Sequence, residues 1–198
     1  MRGSEGTNFL PGDYKMRKII FLALLALILL LPYAAFSEEK EDSDWDGFKF
    51  KLKDLNGDEQ TQKDVFAEGD LFLVDFWASW CKPCNMYLPH LAKMVEEYGD
   101  RGFKVVIFVV DDAGSIANAK ATLKAKDYPF TILFDPGADV QRDLGVKRIP
   151  TTVLFDPTGK ELWRHVGFSS GDEDEVRKKI EENLPKESSE ESEDEDSD

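Results

Sequence analysis

The chain has 198 residues, of which 33% are charged and 41% hydrophobic, and its formal net charge is −15. That length fits one compact domain with flanking segments, and such a domain buries enough surface to fold without disulfide staples. The acid excess excludes nucleic-acid binding through phosphates, which needs a basic face, and about half of it lies at the end, where eight acids and no base follow Lys186.

Lys15, Arg17 and Lys18 precede an unbroken apolar stretch at 19–31, then Pro32 and small residues. A basic flank, a short apolar core and a small-x-small site at Ala35 and Ser37 form the layout of a signal peptide cleaved after Ser37. Joined to 32–36, the apolar run becomes long enough to cross a bilayer, so an uncleaved membrane anchor at 19–36 is the alternative. Either outcome carries the remaining chain across a membrane. Residues 1–37 are assigned to this segment and 38–47 to an acidic linker. Asp42, Asp44, Asp46 and Gly47 imitate the start of a calcium loop, but its twelfth position, which requires a carboxylate, is Lys53. No metal is assigned.

Residues 48–52 alternate Phe48, Phe50 and Leu52 with lysines, and Asn56-Gly57 follows as a hairpin turn. The run 71–77 is almost continuously apolar, the pattern of a strand covered on both faces. A helix is predicted over 83–98, with Met86, Leu88, Leu91, Met94 and Val95 on its apolar face and Pro89 kinking it. A second buried strand is expected at 103–110, a helix at 116–126, a short strand at 131–134 and a short helix at 139–144. Residues 151–155 and 161–166 pair through the turn Asp156-Pro157-Thr158-Gly159, and an amphipathic helix at 172–184 ends before Pro185. The structured domain therefore spans 48–185, in the α/β class, and 186–198 is a low-complexity acidic tail expected to be disordered.

Cys81 and Cys84 are the only cysteines, placed between the 71–77 strand and the following helix. A disulfide across two residues closes a very small loop and stabilises little. A helix start favours the thiolate through its unpaired N–H groups and positive dipole end. The pair therefore points to cycling between dithiol and a Cys81–Cys84 disulfide rather than to two small buried hydrophobes. Structural zinc needs four ligands, and His90 and His165 are the only histidines. Haem attachment needs a histidine after the second cysteine, where Asn85 stands. The two histidines are assigned to surface or packing roles. Asp75 is an acid in a strand that should be buried, where an unpaired carboxylate is costly. Trp77 is assigned to the core, whereas Trp80 flanks the cysteines. Lys82 adds positive charge beside Cys81, and Pro83 suits a first helical turn.

The segment from Val74 to Cys84 (VDFWASWCKPC), followed by Arg148-Ile149-Pro150-Thr151-Thr152, resembles the thioredoxin superfamily, within it the exported thiol–disulfide reductases of the TlpA/ResA type. The resemblance covers about 45–184. It implies a central mixed β-sheet flanked by helices, an N-terminal β-hairpin and a strand–helix insertion around 111–140. It also implies a mechanism without a cofactor: Cys81 attacks a substrate disulfide, Cys84 resolves the mixed disulfide, and Asp75 assists proton transfer at Cys84. Trp80, Lys82, Pro83, Ile149 and a cis-Pro150 would frame the substrate groove. Some relatives place an acid elsewhere, and Asp111 or Asp112 are candidates for that. Peroxiredoxins share much of the pattern, but Ser79 is at the wrong offset for their upstream hydroxyl and no proline precedes it. The implied activity is extracytoplasmic or periplasmic reduction of protein disulfides, for example in cytochrome c maturation, by a monomer fed by a membrane thiol-transfer protein. The rivals are a disulfide oxidase or isomerase, a copper(I) chaperone and a peroxidase.

Overall fold

A computed structural model describes residues 45–185. The export segment, most of the linker and the acidic tail lie outside the described residues. Among the described residues no helix is long and apolar enough to cross a membrane.

Seven strands form one sheet in the order β2-β1-β5-β4-β3-β6-β7. They are β1 (Lys51–Asp54), β2 (Glu59–Thr61), β3 (Leu71–Trp77), β4 (Phe103–Val109), β5 (Thr131–Phe134), β6 (Thr151–Phe155) and β7 (Glu161–Val166). The helices are α1 (Gln62–Val65), α2 (Lys82–Tyr98), α3 (Ile116–Lys126), α4 (Asp139–Asp143) and α5 (Asp172–Asn183). Strands β3, β4 and β5 are parallel neighbours, while β6 runs antiparallel to β3 and β7 to β6. The β1–β2 hairpin joins β5 antiparallel, so the sheet is mixed, as the resemblance implied. The insertion is the α3–β5 unit, with β5 lying between β4 and the hairpin.

Because successive side chains of a strand point to opposite faces, β3 divides its residues between two cores. Leu71, Leu73 and Trp77 pack with Leu91 and Met94 of α2 and Val176 and Ile180 of α5. Phe72, Val74 and Phe76 face the other way, toward Phe50, Phe66, Phe108 and Phe155. Trp45 closes that second core, with its ring stacked on Phe66 at 3.7 Å between centroids. The linker thus gives way to folded chain by Trp45, before the expected boundary at 48. Asp46 N donates to the Thr158 carbonyl at 2.8 Å. Gly159, at φ +87, lies so close that an added Cβ would stand 2.5 Å from the backbone nitrogen of Gly47.

Three other expectations shift. Strand β1 begins at Lys51, although Phe50 is buried and Lys49 and Lys51 are exposed, so the alternation of faces starts before the ladder does. Helix α2 contains Pro89, as expected, but differs in its buried face. Its buried face is Cys84, Tyr87, Leu88, Leu91, Met94 and Tyr98, and Met86 is exposed. Counting from Cys84 in steps of three and four reaches Tyr87 and Leu88, so the helical period turns Met86 outward. Helix α1 was not anticipated; at one turn it is too short to show a period, and its signal is the capping box of Thr61 and Asp64.

Candidate active site

The C-terminal end of β3 leads through Ala78, Ser79 and Trp80 into α2, whose N-cap is Cys81. Cys81 N donates to the Ala78 carbonyl at 3.0 Å, which turns the chain sharply at that point. Cys81 and Cys84 are joined in a disulfide. Cys81 Sγ accepts a hydrogen bond from Cys84 N at 3.3 Å, so the cap of the helix is the sulfur itself. A thiolate at that atom would meet the same N–H and the positive end of α2, both of which favour the charged form. Cys84 is completely buried and its sulfur lies 3.9 Å from the Phe76 carbonyl oxygen, while Cys81 is 4% exposed. Lys82 and Pro83 are exposed in the first turn, and Trp80, at 68% exposure, is the most exposed large apolar side chain among the described residues.

Two groups hold the turn in place: Asn85, to which the sequence gives no role, and Asp111, one of the two candidate acids. Asn85 Nδ2 donates to the carbonyls of Cys81, at 2.9 Å, and Ser79, at 3.3 Å. The Ser79 N–H and hydroxyl both donate to the carboxylate of Asp111, which is buried at the end of β4. Asp111 therefore braces the segment leading into Cys81. Asp112 does something different: it is exposed and accepts from Gly114 N and from the N–H and hydroxyl of Ser115, ahead of α3. Those hydrogen bonds hold its carboxyl below the usual range.

Strand β6 brings the second motif to the same end of the sheet. Thr152 stands opposite Asp75 in the antiparallel β3–β6 ladder, so Pro150, two residues earlier, falls beside the C-terminal end of β3. The Ile149–Pro150 bond is cis. Pro150 is buried with its carbonyl accepting from Gly167 N at 2.8 Å, and Ile149 is partly exposed.

Asp75 projects from β3 toward α2 and is completely buried. Its Oδ1 accepts from the Thr152 hydroxyl at 2.9 Å, and its Oδ2 has no partner among the described residues. Burial pushes the Asp75 carboxyl well above the usual aspartate range, against the smaller opposing pull of hydrogen bonds from Thr152 and the Phe76 backbone. Its neighbour in the ladder on β4 is Ile107, which brings no charge. A buried carboxyl whose proton affinity is raised by desolvation is suited to accepting and returning a proton.

The histidines stand apart from the disulfide and pair with the first turn of α5. His90 Nδ1 lies 3.6 Å from Glu173, and His165 Nε2 lies 3.3 Å from Asp172 while its ring stacks on Trp163. Among the described residues there is no cluster of three His, Cys, Asp or Glu side chains able to hold a metal ion.

A CxxC disulfide at a helix start, over a buried acid and next to a cis-proline, in a sheet of this order, defines a thioredoxin-like thiol–disulfide oxidoreductase. Residues 47–160 match the AhpC/TSA family, and the chain belongs to that family. It is similar to the thioredoxin-like protein YneN of Bacillus subtilis, 32% identical over 58% of this chain and 71% of that protein. It is likewise similar to the thiol-disulfide oxidoreductase ResA of Bacillus thuringiensis, 29% identical over 66% of this chain and 74% of that one. Among solved structures, one described as a thiol:disulfide interchange protein DsbE from Chlorobium tepidum superposes with a TM-score of 0.64 at 33% identity, covering 73% of this chain and 99% of the other.

Proposed function

We propose that this enzyme reduces disulfides of exported proteins outside the cytoplasm, with Cys81 as nucleophile, Cys84 as resolving thiol and Asp75 as proton acceptor. The observation that carries the reading is the unequal placement of the two sulfurs: Cys81 caps α2 and retains a sliver of exposure, whereas Cys84 has none and lies on the helix face that packs over Asp75. In the reduced enzyme, Cys81 thiolate attacks one sulfur of a substrate disulfide and the other substrate sulfur leaves as thiolate. Cys84 loses its proton to Asp75 and attacks Cys81 Sγ, which breaks the mixed disulfide and releases the second substrate thiolate. Two electrons pass to the substrate, and Cys81–Cys84 is left oxidised. Exposed Trp80, Lys82 and Pro83 and the backbone of Ile149 ahead of cis-Pro150 form the contact surface for the substrate chain.

Reduction is the direction that the resemblance to exported thiol–disulfide reductases implies, and the basic-then-apolar segment at 15–31 supports location outside the cytoplasm. Apocytochrome c cysteines are one substrate class of suitable chemistry, and a membrane thiol-transfer protein is the electron source. Two thiols in a four-residue loop need no cofactor for this exchange. The domain boundaries follow the same reading, with residues 1–37 for export or anchoring and the acidic segment after 185 outside the catalytic unit.

Insulin reduction by wild type, Cys81→Ser and Cys84→Ser tests the assignments. Wild type turns over, Cys81→Ser is inactive, and Cys84→Ser accumulates mixed disulfide; activity retained in Cys81→Ser overturns them. Equilibration with glutathione tests the direction of electron flow, since a reductase lies near about −270 mV and an oxidase near about −120 mV. A potential above about −150 mV refutes the reductase assignment.

A further inference from the structure

Ile149 and cis-Pro150 belong to the connection between α4 and β6, which begins at Thr151. Strands β3, β4 and β5 are parallel, so their C-terminal ends reach one edge of the sheet, and antiparallel β6 starts from that same edge. The connection must be held against this edge if Ile149 is to face the cysteines.

Asp135 directly follows β5 and is 1% exposed. A buried carboxyl needs partners, and here each oxygen has one. Oδ1 accepts from Asp139 N at 2.9 Å and Oδ2 from Gln141 N at 3.1 Å. Both donors lie in the first turn of α4, where backbone N–H groups lack intrahelical acceptors. Ala138, at the head of that helix, offers no side-chain acceptor and stands at φ +51. A left-handed alanine persists only where its neighbours hold it. Ala138 N donates to the Asp135 carbonyl at 2.9 Å, so Asp135 grips α4 with main chain and side chain together. Asp135 N donates in turn to the Val109 carbonyl at 2.8 Å, which ties the grip to the end of β4.

The hold continues toward the proline. The Gln141 carbonyl accepts from Val146 N at 2.9 Å, and Val140 and Val146 are buried in the second core, with Ile149 packed against it. Beyond Val146, the Thr151 hydroxyl donates to the Arg148 carbonyl at 2.6 Å, closing the chain around Ile149 and Pro150. Asp111, at the same end of β4, already braces Ser79 on the cysteine side. Two buried carboxylates on neighbouring strand ends thus refer the two halves of the contact surface to one part of the sheet.

We infer that Asp135 is a positioning residue for the substrate groove: its carboxylate fixes the first turn of α4 and, through Gln141 and Val146, sets where Ile149 and cis-Pro150 stand beside the disulfide. The consequence for substrate binding rests on the contact role proposed above for Ile149. A misplaced contact group weakens binding of a chain that needs it and matters little to a disulfide too small to reach it.

Asp135→Asn keeps one acceptor oxygen and puts an amide nitrogen, which cannot accept, in place of the other. Asp135→Ser is the second variant, since serine also suits a helix start but has a single oxygen. Kinetics with insulin and with hydroxyethyl disulfide, and amide hydrogen exchange by NMR, read the effect in both. KM for insulin is expected to rise about five- to tenfold relative to that for the small disulfide, the worth of one hydrogen bond to the substrate backbone. Exchange at the Gln141 and Val146 amides is expected to quicken about tenfold beyond any change shared with β3. Unaltered exchange at those two amides overturns the inference, as does a kcat loss equal for both disulfides with KM unmoved, the mark of a smaller folded fraction. Loss of fold in both variants also overturns it, because the carboxylate would then hold the domain together rather than place one segment. If exchange quickens while both KM and kcat stay in place, Asp135 does position the segment, and it is the contact role of Ile149 that fails.

Discussion

Replacing Asp75 by asparagine should make the protein more stable and less active, and the stability change has a pH signature fixed by the geometry. The carboxyl is completely buried, accepts one side-chain hydrogen bond, from Thr152, and has one oxygen without a partner. Desolvation therefore dominates and raises its pKa well above the ordinary value. For an acid whose folded pKa is raised, both states are protonated below the unfolded value and the group contributes nothing to pH dependence there. As pH climbs from the unfolded value toward the raised folded one, the unfolded chain ionises while the folded protein keeps its proton. Stability then falls by up to about 1.4 kcal/mol per pH unit, the limit for one proton. Above the folded pKa the loss is complete and constant. Asparagine has nearly the same shape and does not titrate. Asp135, whose carboxyl is also raised by burial, is common to both proteins and cancels in the difference. Urea unfolding of the oxidised proteins between about pH 4 and about pH 9 should thus show the variant gaining on wild type as pH rises, starting from the ordinary aspartate range. Insulin reduction at neutral pH should fall by about 100-fold, the lower range for loss of a general base. A stability difference independent of pH refutes the argument that a buried, under-solvated carboxylate stands at this position.

Trp45→Ala should cost about 3–5 kcal/mol in urea unfolding, because it empties a buried site stacked on Phe66, while the Cys81–Cys84 potential stays unchanged. Reducing the disulfide should lower stability by no more than about 2 kcal/mol, since its closed loop spans only four residues; thermal melts with and without reductant measure this. Trp80→Ala should change stability by less than about 0.5 kcal/mol, as an exposed side chain, yet raise KM for a protein disulfide relative to a small-molecule one. Asp111→Ala should remove both hydrogen bonds to Ser79 at a cost of about 1–3 kcal/mol and slow insulin reduction by loosening the segment ahead of Cys81.

The elements with a strong local signal were legible in the chain. The 71–77 run and the 116–126, 131–134 and 161–166 segments fall where hydrophobic pattern and turn residues put them, because each pattern reports one repeating geometry. The dithiol was legible for a different reason, since two cysteines at a strand–helix junction have few other uses. What escaped was whatever depends on contacts distant in sequence. Thr152 and Asp75 are 77 residues apart and meet only through the β3–β6 register. Ser79 and Asp111 meet because β3 and β4 end side by side. Side-chain polarity alone favours Met86 over Tyr87 as core, and the helical phase of Cys84, Leu88 and Leu91 overrides that preference. The acidic neighbours of Trp45 read as linker, yet its own surface is what the second core needs.

The alternation of β3 also explains why stability and redox chemistry can be altered separately in this protein. One face of the strand carries Phe72, Val74 and Phe76 into a core with Trp45, Phe66 and Phe108, where each side chain is apolar and buried. The other face carries Asp75 between Leu73 and Trp77, beneath α2 and Tyr87. Ionising Asp75 costs stability, and the apolar area on both faces offsets that cost. The aromatic core supplies its share without touching the sulfurs, so changes there should appear in unfolding measurements and leave the redox pair unmoved. Changes in the Asp75–Thr152 pair act differently: the volume filled stays nearly constant, what shifts is where a proton resides, and stability moves only through the pH-dependent cost of the buried carboxylate.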